Sequence, residues 1–359
     1  MNFDLSDEQR LLQQTVDDYL KTESPLSRLR EFYDSDQSID PVIWKGLGEL
    51  GILGVQLPEA YGGAGLELLD LACVAERIGY AAAPGPFLAH TIAALALSLA
   101  GSDEQKEKWL PQLATGERVA TLAFAEPGAL WQPEQWKLSP RDGRISGQKE
   151  NVLAADSADV ILVGLDQGEL ALVEASSDGV HFDPSSGLDR TQKTAWVTFD
   201  DAICDLLPGG SGVSGRVRDA ALVLLAADAY GGGQRCLELA VDYAGTREQF
   251  GRKIGQFQAL KHQLANLALD IEPCRALAWY SAYAWDHIPE ESARAAAHAK
   301  SHVTDRFTRV ARGTVEAHGG IGYTWECEVH FWLKRAIFDR TFLGTPRVHR
   351  LRAADLAGW

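Results

Sequence analysis

The apolar positions of this chain follow a helical period up to about residue 118, alternate with a period of two to about residue 207, and return to the helical period afterwards. In the first stretch Ser6 and Gln9 form a capping box ahead of Leu12, Val16 and Tyr19, which predicts a helix there. Asp40 followed by Pro41 predicts another through Ile43, Trp44, Leu47 and Leu50, stopped by Gly51. Pro58–Gly63 reads as a loop, and apolar helices follow over about Leu66–Ala83 and Phe87–Ala100. Ser102 and Gln105 repeat the capping box for a short helix ending near Gly116. The alternating stretch predicts strands over Ala120–Ala125, Arg144–Gln148, Val160–Leu165, Glu169–Glu174 and Thr194–Phe199, as in an antiparallel sheet or small barrel. Pro208-Gly209-Gly210-Ser211-Gly212 reads as a linker. Helices are then expected over about Arg216–Ala244, Gly255–His287, Glu291–Ala317 and Trp325–Phe342. The expectation is an α+β protein in three domains: helical over 1–118, a β-domain over 119–210, and a helical bundle over 215–359. Gly231-Gly232-Gly233 falls inside the first bundle helix, where each glycine costs about 1 kcal/mol relative to alanine. A tight helix–helix crossing accounts for that triplet more simply than a ligand does.

Composition narrows the function classes. With 359 residues, 46% hydrophobic, the chain can bury a core of enzyme size. A net charge of −16 argues against nucleic acid as a partner, because its phosphates would be repelled. The longest apolar run, Phe87 to Ala100, is interrupted by His90 and too short to span a bilayer, and Met1–Leu5 carries no basic or apolar leader, so a cytoplasmic protein without a membrane span is expected. Cys73, Cys204, Cys236, Cys274 and Cys327 have no metal-ligand spacing, which predicts reduced, buried thiols and no metal site.

The candidate chemistry lies in Arg247-Glu248-Gln249-Phe250-Gly251-Arg252-Lys253-Ile254-Gly255-Gln256-Phe257-Gln258 and in His318-Gly319-Gly320-Ile321-Gly322-Tyr323-Thr324. A guanidinium fork at Arg247 can bond a pyrophosphate bidentately, Phe250 and Phe257 offer aromatic faces, and Gly319 and Gly320 let the backbone come close to a ligand. Together the two motifs resemble the flavin-ADP fingerprint of the acyl-CoA dehydrogenase family. The resemblance covers essentially the whole chain. It implies an N-terminal α-domain, a middle antiparallel β-domain and a C-terminal four-helix bundle. It also implies FAD as cofactor, an acyl-CoA substrate and an electron-transfer flavoprotein or similar acceptor. Arg247, Phe250, Phe257, Gln258, Glu316, Gly319 and Gly320 stand at the positions that hold the ADP half of a flavin across a dimer interface. Glu316 replaces a usual glutamine, and a carboxylate near a pyrophosphate is unfavourable unless it meets a ribose hydroxyl or a cation.

The reaction implied by the resemblance removes an α-proton to a carboxylate while the β-hydrogen leaves as hydride to the flavin. The family's usual position for that carboxylate falls on Leu343 in Phe342-Leu343-Gly344-Thr345, and its alternative position falls on Ala221. Neither can accept a proton. Asp339, one turn before Leu343, and Asp219, on the first bundle helix, are the substitutes to weigh. Asp228 lies on that same helix and reads as a solvated or ion-paired carboxylate. Beside the flavin ring, Ala125 stands for a threonine, Asn151 for a stacking tryptophan and Leu153 for a second threonine. The reading is a base-lacking subunit that completes the flavin site of a sibling dehydrogenase carrying the catalytic glutamate, in an assembly acting on bulky acyl groups such as steroid side chains. Two alternatives stay open: a self-sufficient dehydrogenase with a relocated carboxylate, and a flavin-free acyl-CoA- or protein-binding module.

Overall fold

The computed structural model describes residues 4–359. Helices α1 (Asp7–Glu23), α2 (Leu26–Asp34), α3 (Pro41–Glu49), α4 (Leu68–Tyr80), α5 (Phe87–Ala100) and α6 (Asp103–Thr115) come first. Strands β1 (Ala120–Ala123), β2 (Arg144–Leu153), β3 (Val160–Gly164), β4 (Leu170–Glu174), β5 (Val180–Ser185), β6 (Thr194–Ile203) and β7 (Asp205–Leu206) follow. The rest is α7 (Gly210–Thr246), the hairpin β8 (Glu248–Gln249) and β9 (Arg252–Lys253), α8 (Gln258–Ile271), α9 (Cys274–His287), α10 (Pro289–His318), α11 (Val329–Thr341) and α12 (Pro346–Leu356). Both capping boxes are present, with Ser6 accepting from Gln9 N and Ser102 from Gln105 N. This order, helices, strands and then long helices, is the one the resemblance implies.

The chain divides into two compact units, one comprising Met1–Leu26, Ala72–Ala83 and Leu222–Trp359, the other Ser27–Leu71 and Pro84–Ala221. In the second unit the strands form two sheets, ordered β1-β3-β4-β7 and β2-β6-β5. Ile161, Val163, Ala171 and Val173 of the first share a core with Ile145, Val152, Val197 and Phe199 of the second. One pair departs from the antiparallel expectation: β1 runs parallel to β3. Between them the chain travels out along β2, which belongs to the other sheet, and period-two alternation carries no information on strand direction. Strand β5 also escapes the sequence pattern because Pro184 lies inside it, and its place at a sheet edge is where proline is tolerated.

In the first unit the glycine triplet is a crossing, as expected. A Cβ at Gly231 would lie 1.8 Å from the Glu76 carbonyl oxygen, and one at Gly79 would lie 2.0 Å from that of Asp228, so α4 and α7 touch backbone to backbone. Gly232 and Gly233 face Phe307 and Ile271. Three boundaries differ from expectation. The helix α7 starts at Gly210, inside the stretch read as a linker. The helix expected over 255–287 is two, because Pro273 lacks the N–H that would continue α8 into α9. Helix α11 starts at Val329, four residues later than Trp325, and α12 follows it with Pro346 in its first turn. The C-terminal bundle therefore contains more helices than four. All five cysteines are free and buried.

Candidate functional site

The fingerprint residues gather at one end of the first unit. Tyr243, in the last turn of α7, stacks on His318, the last residue of α10, with ring centroids 4.4 Å apart. The His318 ring also bonds the Thr314 carbonyl at 2.8 Å, which with the stacking on Tyr243 gives this histidine a structural role. Arg247 follows α7 and leads into the β8–β9 hairpin, whose two-residue turn is Phe250 at φ 53° and Gly251 at φ 75°. Both positive angles match a type I′ turn, which glycine favours and phenylalanine does not. Phe250 is 91% exposed, meets Phe257 edge-on at 6.2 Å, and the Arg252 guanidinium lies 4.1 Å over the Phe257 ring. Gln258 opens α8 and is exposed.

The exposed polar groups here have little internal use. The Arg247 backbone carbonyl accepts from Ile254 N at 2.8 Å, but among the described residues its side chain forms no ion pair or hydrogen bond. Glu316 is exposed beside Arg312 in a cleft of about 750 Å³ between α8, α10 and α11. Gly319 closes α10 by donating to the Glu316 carbonyl, at φ 64° and ψ −144°, a conformation reserved for glycine. A Cβ at Gly320 would meet nothing within 4 Å among the described residues, and its φ is not positive. Neither backbone strain nor crowding within the chain requires glycine there, so the open space is available to a ligand or partner. Gly322 differs, since a Cβ there would strike the Val315 carbonyl.

The positions expected to carry a base are buried. Leu343 is 0% exposed at φ 57°, with Gly344 at φ 109°. His349 bonds the Leu343 carbonyl at 3.0 Å, and the Lys300 ammonium donates to the carbonyls of Gly344, at 3.2 Å, and Asp339. Ala221 is buried as well. Asp339 is 1% exposed and lies 3.8 Å from Arg335, whose guanidinium is committed to Asp228 through bonds of 3.0 and 2.7 Å. Asp228 is thus ion-paired and buried, not solvated. Burial, reinforced by the charge of Asp228, pushes the Asp339 carboxyl well above the usual carboxylate range. Burial likewise lowers Lys300 to about 7 against the pull of Asp339. Asp219 is buried and accepts from Arg218 Nε at 3.1 Å. Sequence reasoning did not single out Lys300, Arg335 or His349. The signal for Lys300 was its place on the apolar stripe of α10 with Ala296, Thr304, Phe307 and Ala311, all buried.

In the second unit the two ring-side segments lie side by side. Ala125 and Glu150 form an antiparallel bridge, and Asn151 sits at φ 56° in the bulge of β2 between Lys149 and Val152. Ala125 and Leu153 are buried and Asn151 is half-buried. Below them Lys149, fully buried, bonds Glu126 at 3.0 Å, and the same Glu126 oxygen accepts from the backbone N–H groups of Lys137 and Leu138 at 2.9 Å each. Burial lowers Lys149 to about 8 in spite of that partner. Among the described residues no group of histidine, cysteine or acidic side chains could hold a metal, and no helix is long and apolar enough to cross a membrane.

Comparison with known proteins gives this geometry its context. Residues 6–117 match the N-terminal domain of acyl-CoA dehydrogenases and residues 221–357 match the C-terminal domain. The chain is 32% identical over 355 residues to acyl-CoA dehydrogenase IpdE2 of Mycolicibacterium smegmatis, covering 97% of this chain and 99% of that protein. Its fold superposes on a chain of the Tcur3481-Tcur3483 steroid ACAD G363A variant with TM-score 0.91 at 31% identity, covering 98% of each. It superposes on a chain of the ChsE4-ChsE5 complex from Mycobacterium tuberculosis with TM-score 0.90 at 25% identity, covering 100% of this chain and 99% of that one. The chain belongs to the acyl-CoA dehydrogenase family of oxidoreductases.

Proposed function

We propose that this chain is the base-lacking subunit of a heteromeric, FAD-dependent acyl-CoA dehydrogenase, and that it completes the flavin site of a sibling subunit. The observation that carries the reading is the pair of buried apolar side chains, Leu343 and Ala221, where the family's proton acceptors are expected. Asp339 is a poor substitute, because it is 1% exposed and lies against Arg335 and Asp228 in the core of the helices, where an α-proton would have to be brought to a buried group. Asp219 is engaged by Arg218 and buried.

The residues fit one half of the flavin and not the other. Arg247, Phe250, Phe257, Gln258, Gly319 and Gly320 present exposed donors, aromatic faces and open backbone suited to an ADP group brought by a partner. Glu316 beside Arg312 has a cation to offset its charge, which eases the conflict with a pyrophosphate. The ring side offers Ala125, Asn151 and Leu153, which supply neither hydroxyl donors nor a stacking face. When bound, FAD supplies the acceptor for the hydride. The structural neighbours named as a steroid ACAD and as a two-component complex support a two-subunit assembly acting on a bulky acyl-CoA; an electron-transfer flavoprotein or similar acceptor and a cytoplasmic location belong to the same reading. The test is to express this chain alone and together with a sibling dehydrogenase that carries the catalytic glutamate, and to follow acceptor reduction with a steroid side-chain acyl-CoA. Turnover by the pair and by neither chain alone supports the proposal; turnover by this chain alone overturns it.

A further inference from the structure

Helices α1 and α4 both end at a pocket of about 230 Å³ that they share with α7 and α11, and the flavin reading leaves it unused. Arg235, on its wall, stands twelve residues before Arg247, about 18 Å along the direction of α7, and neither Leu343 nor Asp339 lines it. The pocket is therefore separate from the ADP fingerprint and from the Leu343 loop. Leu20, Tyr80 and Trp332 give it apolar walls, and the Trp332 indole donates to the Tyr80 carbonyl at 3.1 Å, which ties the two aromatic residues together. The polar lining has more free donors than acceptors. Ser24 is 9% exposed, and its hydroxyl has no hydrogen-bond partner among the described residues. A buried polar group left unpaired is costly, so it marks a place where a bonding group is expected. The Arg235 guanidinium lies 5.5 Å from the Tyr80 ring and 5.9 Å from the Trp332 ring. Its carboxylate neighbour, Glu238, is 3.7 Å away, beyond hydrogen-bonding distance, and accepts from the Tyr80 hydroxyl instead. Lys21 lines the pocket, is exposed, and forms no ion pair among the described residues. The acid of the lining, Asp17, is engaged by Arg77 at 3.4 Å.

We propose that this pocket is a binding site for a small free carboxylate carrying an apolar body. Its carboxylate accepts from Arg235, Lys21 and the Ser24 hydroxyl, and its body lies against Leu20 and the aromatic walls. Charge-assisted bonds from a guanidinium are the strongest contacts such a group can make, and a hydroxyl with no partner inside the chain loses nothing by turning to a ligand. A ligand cation is disfavoured, because Arg235 already takes the place over the two rings that a cation would seek. Size sets the rest. A cavity of about 150 Å³ holds benzene, so 230 Å³ accommodates about nine heavy atoms, the size of benzoate or heptanoate and far short of a CoA ester. An aromatic acid and a short-chain fatty acid share this chemistry and differ only in the body presented to the walls. The inference is independent of the flavin reading.

The test titrates benzoate, heptanoate and benzylamine into the full chain by calorimetry. At least one of the two acids should bind at one site per chain with Kd on the order of 0.1–1 mM, as suits a ligand of this size, and the tighter of the two shows whether the body is aromatic or aliphatic. Benzylamine, nearly the size of benzoate but cationic, should bind at least about tenfold more weakly. Ser24→Ala should weaken the acid about fivefold without lowering Tm, because the hydroxyl it removes has no partner within the chain. Arg235→Met keeps the apolar stem over the rings and should cost at least about tenfold in Kd. Ala81→Leu, at a half-buried position of the lining, fills the pocket and should abolish binding in a chain that still folds. Three results would each overturn the proposal: no saturable binding of either acid at about 20 mM, benzylamine binding as tightly as the acids, or an acid affinity indifferent to Ser24→Ala and Ala81→Leu in chains that melt as the parent does. The last would place whatever binding is seen at another site.

Discussion

The residues matched to the two halves of a flavin, its ADP group and its ring, differ in what the chain does with their polar groups. At the ADP side, Arg247, Gln258 and Glu316 are exposed, Gly320 borders empty space, and an aromatic residue is held at a positive φ at a hairpin tip. At the ring and base side, Ala125, Leu153, Ala221 and Leu343 are buried and apolar. Folding alone explains the second set, since buried apolar side chains stabilise any core. It does not explain the first, because an unpaired exposed arginine adds almost nothing to stability and a phenylalanine in a left-handed turn costs some. Residues that serve neither the core nor the turn are the ones whose purpose lies outside the chain.

The largest consequence falls on the reaction. Positioned acid–base groups contribute about 10²–10⁴-fold to rate, and without a fixed flavin ring the hydride has no acceptor. Turnover of the isolated chain should therefore lie at least ~10³-fold below that of the two-subunit complex, measured with the same acyl-CoA and acceptor dye. An isolated chain within tenfold of the complex would erase the distinction between the two halves.

Next in size is flavin affinity. Losing two hydroxyl contacts and one aromatic face should cost about 2–4 kcal/mol, or roughly 30- to 1000-fold in Kd. Titrating FAD into the isolated chain and into the complex gives that ratio directly. A stoichiometrically yellow preparation of the chain alone would contradict it.

A buried charge at the ring side should behave unlike an exposed one at the ADP side. Lys149→Met leaves Glu126 buried without its cation, though still accepting from Lys137 and Leu138. Breaking such a pair costs about 3 kcal/mol or more, whereas replacing both partners with apolar groups of similar size can be nearly neutral. Chemical denaturation should show a loss of that order for Lys149→Met and a smaller one for Lys149→Met with Glu126→Leu.

Much of this contrast could be read from the residues themselves. The pairing of the two ring-side segments was implied by the family resemblance alone, whereas helix starts marked by Ser6, Asp40 and Ser102 and the crossing at Gly231 follow from local chemistry. The direction of β1 against β3, the start of α7 at Gly210 and the short helix α12 do not, because each is fixed by tertiary packing that overrides local turn signals. The buried cluster of Asp228, Lys300, Arg335 and Asp339 was illegible for another reason: its four members lie on three helices, and helical period reports a face without reporting what that face meets.

The smallest effect is also the most discriminating. Arg247→Ala in this chain alone should lower flavin affinity of the co-expressed complex about tenfold, the worth of a charge-assisted bond to a phosphate, while its Tm moves by no more than about 1 °C in the absence of flavin. The stability half of the expectation follows from geometry: the guanidinium is exposed and no carboxylate among the described residues engages it, so removal strands no buried charge. The flavin half follows from shape, since a planar fork bonds two phosphate oxygens at once and lysine supplies only a point charge. Arg247→Lys should accordingly recover only part of the loss. A fall in Tm with flavin content per folded complex unchanged would mean that Arg247 serves this chain's own fold, and the contrast between the two halves would no longer point to a shared cofactor.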